Sequence, residues 1–470
     1  MRRISTFGLR RCLEKRCVPA EPASGLRLVP RLTAFDTAMV VVSLVIGIGI
    51  FRTPAMVATA TGTTGRFLFA WLIGGIASLV GAFVFAEIGS RYPHAGGLYK
   101  VVAHCWHPMV AFLLNWAQVL MQGAGAAGVA LIGAEYLLRL AGRGAAHGAA
   151  AELCAAILIG GLVILNAWGI RAGARTQNLL SVAKIILVLG LALAGLILAT
   201  TSSSKTPDAV SHDGAPPAGM LAALVAVSYA YGGYQNTMNL AGDVREARRK
   251  IPLGICGGMI IVTALYLAIN VAYVRALGVE GVSGSPLVAA DLARAALGGF
   301  GEAFISLAIF LSAAGFVNAT ILHVPRGYIP MAHDGLLPGA LGRVNPRTQA
   351  QNAGLVFFAA TALLPLLVLG SFEKLLAYVM FTDALSLAVA ASCLFILRNR
   401  QAGSAAEGAW RMPGYPWLPA AFVIVLLGLA GNVLVLQTRL ALAGTAIVVI
   451  GVPVYFLMKR SWRQPERPPG

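Results

Sequence analysis

Charged residues are scarce in this chain. Only 11% of its 470 residues are charged and 58% are hydrophobic, which gives a mean hydropathy of +0.78. A soluble domain carries about 25% charged residues and about 45–50% apolar ones. The composition excludes an ordinary water-soluble enzyme, and the apolar content also excludes a disordered chain. Long apolar runs without strict alternation predict an all-α integral membrane protein.

Signatures of catalysis and cofactor binding are missing as well. The chain has no Walker A lysine motif and no H-E-x-x-H motif, which removes support for ATP-driven pumping and for zinc proteolysis. We see no mid-membrane cluster of His or carboxylate residues, so we expect no enzyme, no metal and no cofactor. Six cysteines are present. No predicted outer loop holds a pair of them, and no partner subunit is indicated.

Apolar runs long enough to cross a bilayer, about 20 residues each, occur about twelve times. The predicted spans lie near 34–60, 65–90, 104–140, 152–170, 176–200, 217–242, 251–277, 301–331, 352–371, 373–397, 415–437 and 440–458. Before the first span lies a basic tail, 1–33, and after the last a second tail, 459–470. Between them we expect a first unit of five spans, 34–200, a second, 217–397, and two final spans within 398–458.

Lys and Arg are unevenly distributed along the chain. They are concentrated in the N-terminal tail, in the loop 243–250 and in the C-terminal tail. The loops predicted to lie on the other side of the membrane hold few. Because cytoplasmic loops are enriched in Lys and Arg, both termini are predicted to lie in the cytoplasm. The same asymmetry accounts for the net charge of +18 without a nucleic-acid partner. We expect a multi-pass protein of a bacterial cell membrane, with the lipid bilayer as its surroundings.

Glycines interrupt two of the predicted spans. The first contains Gly47-Ile48-Gly49-Ile50-Phe51, and the sixth contains 229–236, which includes Gly232-Gly233. Glycine weakens a helix, although tight helix packing is an alternative explanation for either site alone. Interruptions at equivalent positions of two halves are typical of a transporter's substrate site. Exposed N–H groups attract a carboxylate and exposed carbonyls an ammonium, which together suit an α-amino acid.

Five stretches carry a family resemblance, in matching order and spacing. The stretches are Gly-Ile-Gly-Ile-Phe at 47–51, 86–99 (Ala-Glu-Ile-Gly through Gly-Gly-Leu-Tyr), 177–184, 230–252 (Ala-Tyr-Gly-Gly-Tyr through Lys-Ile-Pro) and 326–338 (through Ala-His-Asp-Gly-Leu-Leu-Pro). In these stretches the sequence resembles the amino acid–polyamine–organocation superfamily of permeases, and within it the L-type amino acid transporter-like branch.

This resemblance implies a LeuT-type fold, with two inverted five-helix repeats followed by two C-terminal helices. It implies that backbone groups around Gly47, Ile48, Gly49 and Ile50 bind the substrate carboxylate. Carbonyls of the sixth span would bind the amino group, with one tyrosine ring as a gate and another lining the site. The residues concerned are Tyr229, Ala230, Gly232 and Tyr234. The chain departs from the family pattern at Ile48, where serine is usual, and at Tyr234, where tryptophan is common.

Lys184 is the most informative single residue. A lysine in mid-span is costly unless it has partners, so a function is the default interpretation, with snorkelling to the interface as the alternative. The resemblance implies that this lysine occupies the place of a second sodium ion. Carbonyls near Gly47, together with Asn318 or Ser312, are candidate partners. We therefore expect transport that does not depend on sodium.

Other charges within or beside the spans are less informative. Glu87 and Asp243 lie at cytoplasmic helix ends, where pairing with Arg91 or Arg245 competes with a functional role. Asp383 lies in the tenth span without an assignment.

The sequence thus predicts a secondary amino-acid transporter, working by alternating access as an exchanger or a proton-linked permease. Neutral L-amino acids are favoured, because Tyr231-Gly232-Gly233 lacks the carboxylate that some cationic-substrate relatives place there. A polyamine or cationic amino-acid antiporter is the alternative. A second alternative is a membrane sensor that binds an amino acid without transporting it.

Overall fold

The structure is a computed structural model. It describes residues 29–47, 49–93, 96–141, 148–201, 217–285, 287–369, 372–400, 408–436 and 438–461. Most of both predicted tails, including 1–28 and 462–470, lies outside the described residues, as do Cys12 and Cys17.

All regular elements among the described residues are helices, and an isolated parallel bridge joins Leu32 to Val244. The first half contains α1 (Ala34–Val45), α2 (Gly49–Thr61), α3 (Thr64–Arg91), α4 (Gly97–Cys105), α5 (Pro108–Leu140), α6 (Ala149–Ala167) and α7 (Ile170–Thr201). The second half contains α8 (Pro217–Ala230), a 3-10 segment (Tyr234–Asp243), α9 (Ala247–Ser283), α10 (Val288–Leu297), α11 (Phe300–His333), a short 3-10 turn (Gly339–Gly342), α12 (Asn352–Leu369) and α13 (Phe372–Arg400). Two further helices, α14 (Trp417–Leu436) and α15 (Thr438–Ser461), follow.

Helical structure is present at the positions of all twelve predicted spans. Among the described residues, six helices are long and apolar enough to cross a membrane by length and composition alone: α3, α5, α6, α7, α9 and α11. The number of crossings and the inverted relation of the two halves stay predictions. The first and sixth spans are each divided in two, and α9 bends at Gly278, whose φ of 70° is left-handed.

Helices α6 and α7 expose apolar side chains at helical spacing. On α6 the exposed residues include Leu153, Ile157 and Ile164, and on α7 Leu179 and Ile186. An apolar surface of this length is unfavourable in water, but it is suited to lipid tails, since backbone groups are satisfied within the helix. The faces therefore mark the side of the molecule that contacts the bilayer.

The first helix begins at a defined capping site. Thr33 is the N-cap residue of α1, and its hydroxyl accepts a hydrogen bond from the Asp36 N–H at 3.2 Å. The Asp36 carboxylate accepts in return from the Thr33 N–H at 2.7 Å, which completes a capping box. This fixes the start of a helix whose other end, at Val45, enters the interior.

Ion pairs join helix ends at the side predicted to be cytoplasmic. The Glu87 carboxylate is fully buried and accepts from Arg91 at 2.6 Å, from Arg398 at 2.6 and 2.8 Å, and from the Met412 N–H at 2.8 Å. It joins α3 to α13 and to the segment before α14. Pairing with Arg91 is therefore present, and Arg398 is an additional partner that the sequence did not indicate.

The expected pairing of Asp243 with Arg245 is wrong. The Asp243 carboxylate lies 3.0 Å from Nε of Arg326 on α11, whereas Arg245 donates to the Pro30 carbonyl at 3.4 Å. The 3-10 segment ends at Asp243, and Val244 is extended. The chain leaves the 3-10 geometry between these two residues, so they follow no single helical or strand periodicity: Asp243 is buried beside α11, whereas Arg245 is exposed.

Removing the Glu87 charge should destabilise the fold. In Glu87→Gln, Arg91 and Arg398 lose their shared counter-ion, and breaking a buried pair costs about 3–5 kcal/mol. We expect a clear fall in the melting temperature of the purified protein in detergent. Glu246→Gln, which removes an exposed carboxylate paired with Lys250, should change it little. Equal melting temperatures for the two variants would contradict the structural role of Glu87.

Candidate substrate site between two broken helices

The first helix break separates α1 from α2. Helix α1 ends at Val45, Ile46 has φ −74° and ψ 78°, and α2 begins at Gly49. The Gly47 N–H donates to the Val45 carbonyl at 2.7 Å. Ile48, a predicted carboxylate-binding residue, lies outside the described residues. The last carbonyls of α1 have no partner within their own helix, so other elements must supply donors.

Lys184 of α7 supplies two of these hydrogen bonds. Its ammonium donates to the Ile46 carbonyl at 2.6 Å and to the Ser43 carbonyl at 3.2 Å. Ser312 of α11 donates to the same Ile46 carbonyl at 3.1 Å. Lys184 is only 1% exposed, which excludes snorkelling in this conformation. The lysine therefore joins α7 to the end of α1, and Ser312 brings α11 to the same point.

Asn318, the other candidate partner of Lys184, lies in a different place. It donates to Gln177 at 2.9 Å and to the Gly173 carbonyl at 3.2 Å, and it accepts from Asn166 at 2.7 Å. Of the two candidate partners, the structure places Ser312 beside Lys184 and Asn318 in a separate polar network between α6, α7 and α11. Gly315 is a residue the sequence did not single out. A Cβ there would lie 3.3 Å from the Lys184 ammonium.

The second break separates α8 from the 3-10 segment. Helix α8 ends at Ala230, and Gly233 has a left-handed φ of 115°. A Cβ on Gly233 would lie 3.0 Å from the Leu44 carbonyl oxygen, and one on Gly49 would lie 3.4 Å from the Ala230 Cα. The two breaks are therefore in backbone contact. Glycine is needed at Gly233 both for its conformation and for this close approach.

Tyr266 of α9 joins the two breaks. Its hydroxyl lies 2.8 Å from the Val45 carbonyl and 3.2 Å from the Ala230 carbonyl, so a single donor serves the ends of both α1 and α8. Its ring packs against Trp71 and Tyr231, with centroids 5.8 and 4.9 Å away. Sequence reasoning missed this residue, because a tyrosine in an apolar span has no distinguishing spacing.

A cavity of about 240 Å³ lies beside the two breaks. Six of the predicted substrate residues line it together: Gly47, Gly49, Tyr229, Ala230, Gly232 and Tyr234. Ile50 is fully buried and is not among the lining residues. A polar wall that the sequence did not predict faces the breaks. There Gln118 of α5 donates to the Asp383 carboxylate of α13 at 2.8 Å, and Gln122 donates to Gln118 at 3.3 Å.

No group of three or more His, Cys, Asp or Glu residues able to hold a metal ion occurs in the described part of the chain. The cavity instead offers helix ends: the N-terminus of α2 and the C-terminus of α8. The first N–H groups of a helix attract anions and the last carbonyls attract cations. The arrangement can therefore bind a small zwitterion through backbone groups.

Two broken helices that meet at a cavity inside an apolar helical bundle define a class of secondary transporters. A family model described as "Amino acid permease" matches residues 32–453. The chain therefore belongs to this family, in the L-type amino acid transporter-like branch of the amino acid–polyamine–organocation superfamily.

Named relatives are similar over most of their length. The chain is 28% identical over 424 residues to the serine/threonine exchanger SteT of Bacillus subtilis, covering 89% of this chain and 94% of the relative. It is 26% identical to the human cystine/glutamate transporter, covering 92% and 86%. It is 26% identical to the human large neutral amino acids transporter small subunit 2, covering 92% and 81%. These relatives are named as exchangers or transporters.

Replacing Lys184 by Met should impair transport while keeping an unbranched side chain of similar length. The Ser43 carbonyl would lose the ammonium donor, and the Ile46 carbonyl would keep only Ser312. If this loss destabilises the conformation that transports by about 1.4 kcal/mol, the transport rate falls roughly tenfold. Uptake of labelled amino acid into proteoliposomes measures this. Lys250→Met, at the more exposed start of α9, is the control, and equal rates for both variants would contradict the role of Lys184.

Proposed function

We propose that this chain is a sodium-independent amino-acid permease or exchanger of the cell membrane, with neutral L-amino acids as its leading substrate class. The observation that carries the proposal is the convergence of both helix breaks on one cavity. Alternating access between two inverted five-helix units, with both termini in the cytoplasm, is the mechanism that the resemblance implies. A bacterial origin is part of the same proposal.

The polarity of the two breaks supports an amino-acid substrate. The N-terminus of α2, at Gly49, faces the cavity and suits a carboxylate. The Tyr229 carbonyl accepts from the Gly232 N–H at 3.2 Å, and the Ala230 carbonyl accepts from Tyr266. A carbonyl oxygen has two lone pairs, so each retains capacity for a substrate ammonium. Tyr229 is proposed as the gate, and Tyr234 as part of the wall.

The position of Lys184 supports independence from sodium. Its ammonium lies on carbonyl oxygens at the end of an unwound helix, which is the kind of ligand that a sodium ion also takes in this type of transporter. A fixed positive charge there repels a second cation. The lysine is therefore proposed to replace the ion.

The relatives' names differ in substrate: serine and threonine, cystine and glutamate, or large neutral amino acids. One of them is also named as a small subunit, whereas this sequence by itself indicates no partner subunit. An unpredicted carboxylate in the cavity wall, Asp383, favours the alternative of a cationic substrate, because it can pair with a side-chain ammonium.

Replacement of sodium provides the first test. Uptake of labelled alanine, serine and leucine into proteoliposomes should be unchanged when external sodium is replaced by choline or potassium. Trans-stimulation by internal substrate would identify exchange. Binding without flux would support the sensor alternative, and a steep sodium dependence would contradict the role proposed for Lys184.

Filling the cavity at Gly232 provides the second test. A Cβ at this position would lie 3.4 Å from the Tyr229 carbonyl, an ordinary contact. We therefore expect Gly232→Val to fold and insert, but to lose most transport because its methyl groups occupy substrate space. Gly190→Val is the matched control, since a Cβ on this exposed residue of α7 meets nothing within 4 Å. Normal transport by Gly232→Val would show that the site has been misplaced.

A further inference from the structure

Asp383 lies where two cavities meet. It lines the central cavity of about 240 Å³ and also a smaller one of about 50 Å³ between α4, α5, α11, α13 and the 3-10 segment. Other residues line both cavities: Gln118, Gln122, Gln235, Asn236 and Leu387. The smaller cavity also receives His323, which is 1% exposed and whose two ring nitrogens have no hydrogen-bond partner among the described residues. The Ser386 hydroxyl is likewise unpartnered there.

Among the described residues of this wall, no cation pairs with the Asp383 carboxylate. The titratable groups facing it are Tyr229 and Tyr234 in the larger cavity, and Tyr99 and His323 in the smaller one. In the part of the chain that the structure describes, no Lys or Arg lines either cavity. Lys184 lines neither cavity and donates to the carbonyls of α1.

Charged groups on the helices that pack against α13 have other partners. Glu87 and Arg91 of α3 pair with each other and with Arg398. Lys100 of α4 pairs with Asp334 at 2.7 Å, and Tyr99 donates to the same carboxylate. Among the other described groups on these helices, His104 stacks on Tyr92, Arg139 lies over the Tyr136 ring and Lys459 lies over the Tyr455 ring. Glu135 of α5 and the exposed Arg66 of α3 line neither cavity.

An ionised carboxylate in this position is costly. Carboxylates within membrane spans normally face a cavity or a bundle interior and pair with a cation. Gln118 occupies only one of the roughly four positions at which a carboxylate accepts hydrogen bonds. A positive charge would therefore stabilise the ionised Asp383 carboxylate, and free acceptor positions remain on the cavity side to bind it.

We propose that Asp383 carries one positive charge in each transport cycle, either a proton or the side-chain cation of the substrate. With a neutral amino acid, the carboxylate takes a proton from water on the loading side and returns it on the release side. With a cationic amino acid, the side-chain ammonium or guanidinium pairs with the ionised carboxylate and no proton is bound. This inference rests on the proposed function, and it extends the substrate class to both neutral and cationic amino acids.

The site geometry permits both modes. The backbone-binding breaks and the Asp383 wall belong to one cavity, so a bound amino acid can reach the carboxylate with the end of its side chain. Norleucine and lysine are a matched pair of probes, because norleucine has the same four-carbon chain without the ammonium group.

The two substrate types should respond to external pH in opposite directions. A neutral amino acid needs the protonated carboxyl, whose population falls as pH rises. Its apparent affinity should therefore fall by up to about tenfold per pH unit above the titration midpoint. Lysine needs the ionised form, so its inhibition of labelled alanine uptake should strengthen over the same interval. Norleucine is neutral, so its apparent affinity as an inhibitor of alanine uptake should fall with pH in parallel with that of alanine.

Three variants in proteoliposomes complete the test. Asp383→Asn should transport alanine without pH dependence and lose inhibition by lysine. Asp383→Glu should keep both responses, which distinguishes a charge effect from damage to the fold. Glu280→Gln, which removes an exposed carboxylate outside both cavities, should behave as wild type. Parallel pH responses of lysine and norleucine, or unaltered responses in Asp383→Asn, would overturn the inference but leave the proposed function intact. A chain that moves no amino acid would overturn both.

Discussion

Carbonyl groups at the broken end of α1 impose the main constraint on this structure. A helix that stops inside an apolar bundle leaves its last carbonyls without partners, and water is scarce there. Lys184, Ser312 and Tyr266 reach these carbonyls from three different helices. The break is therefore maintained by side chains of α7, α9 and α11, and these helices are held to one point by the same bonds.

This arrangement leaves the opposite side of the breaks open. Since the supporting side chains approach from α7, α9 and α11, the glycines Gly47, Gly49 and Gly232 face the cavity without side chains of their own. Backbone groups are then accessible to a small zwitterion. The Tyr266 hydroxyl lies between the ends of α1 and α8, so movement at one break is expected to be felt at the other.

Two charged side chains within the same bundle have opposite environments. The Lys184 ammonium donates to two carbonyls and lines neither of the two described cavities, which suits a permanent role. The Asp383 carboxylate accepts one hydrogen bond from Gln118 and lines both cavities, which suits a charge that is exchanged. In the function we propose, the first holds the helix break without an ion, and the second lets one cavity accept side chains that differ in charge.

The sequence by itself determined the helical membrane class, the positions of the helices and both breaks. Apolar run length and paired glycines are local properties, and a mid-span lysine is conspicuous wherever it lies. Only the tertiary structure decided that Asp243 pairs with Arg326, that Tyr266 bridges both breaks and that Asp383 faces the cavity. These contacts join residues far apart in sequence. An apolar span that is buried on most sides has little periodicity, so its pattern does not show which face meets which neighbour.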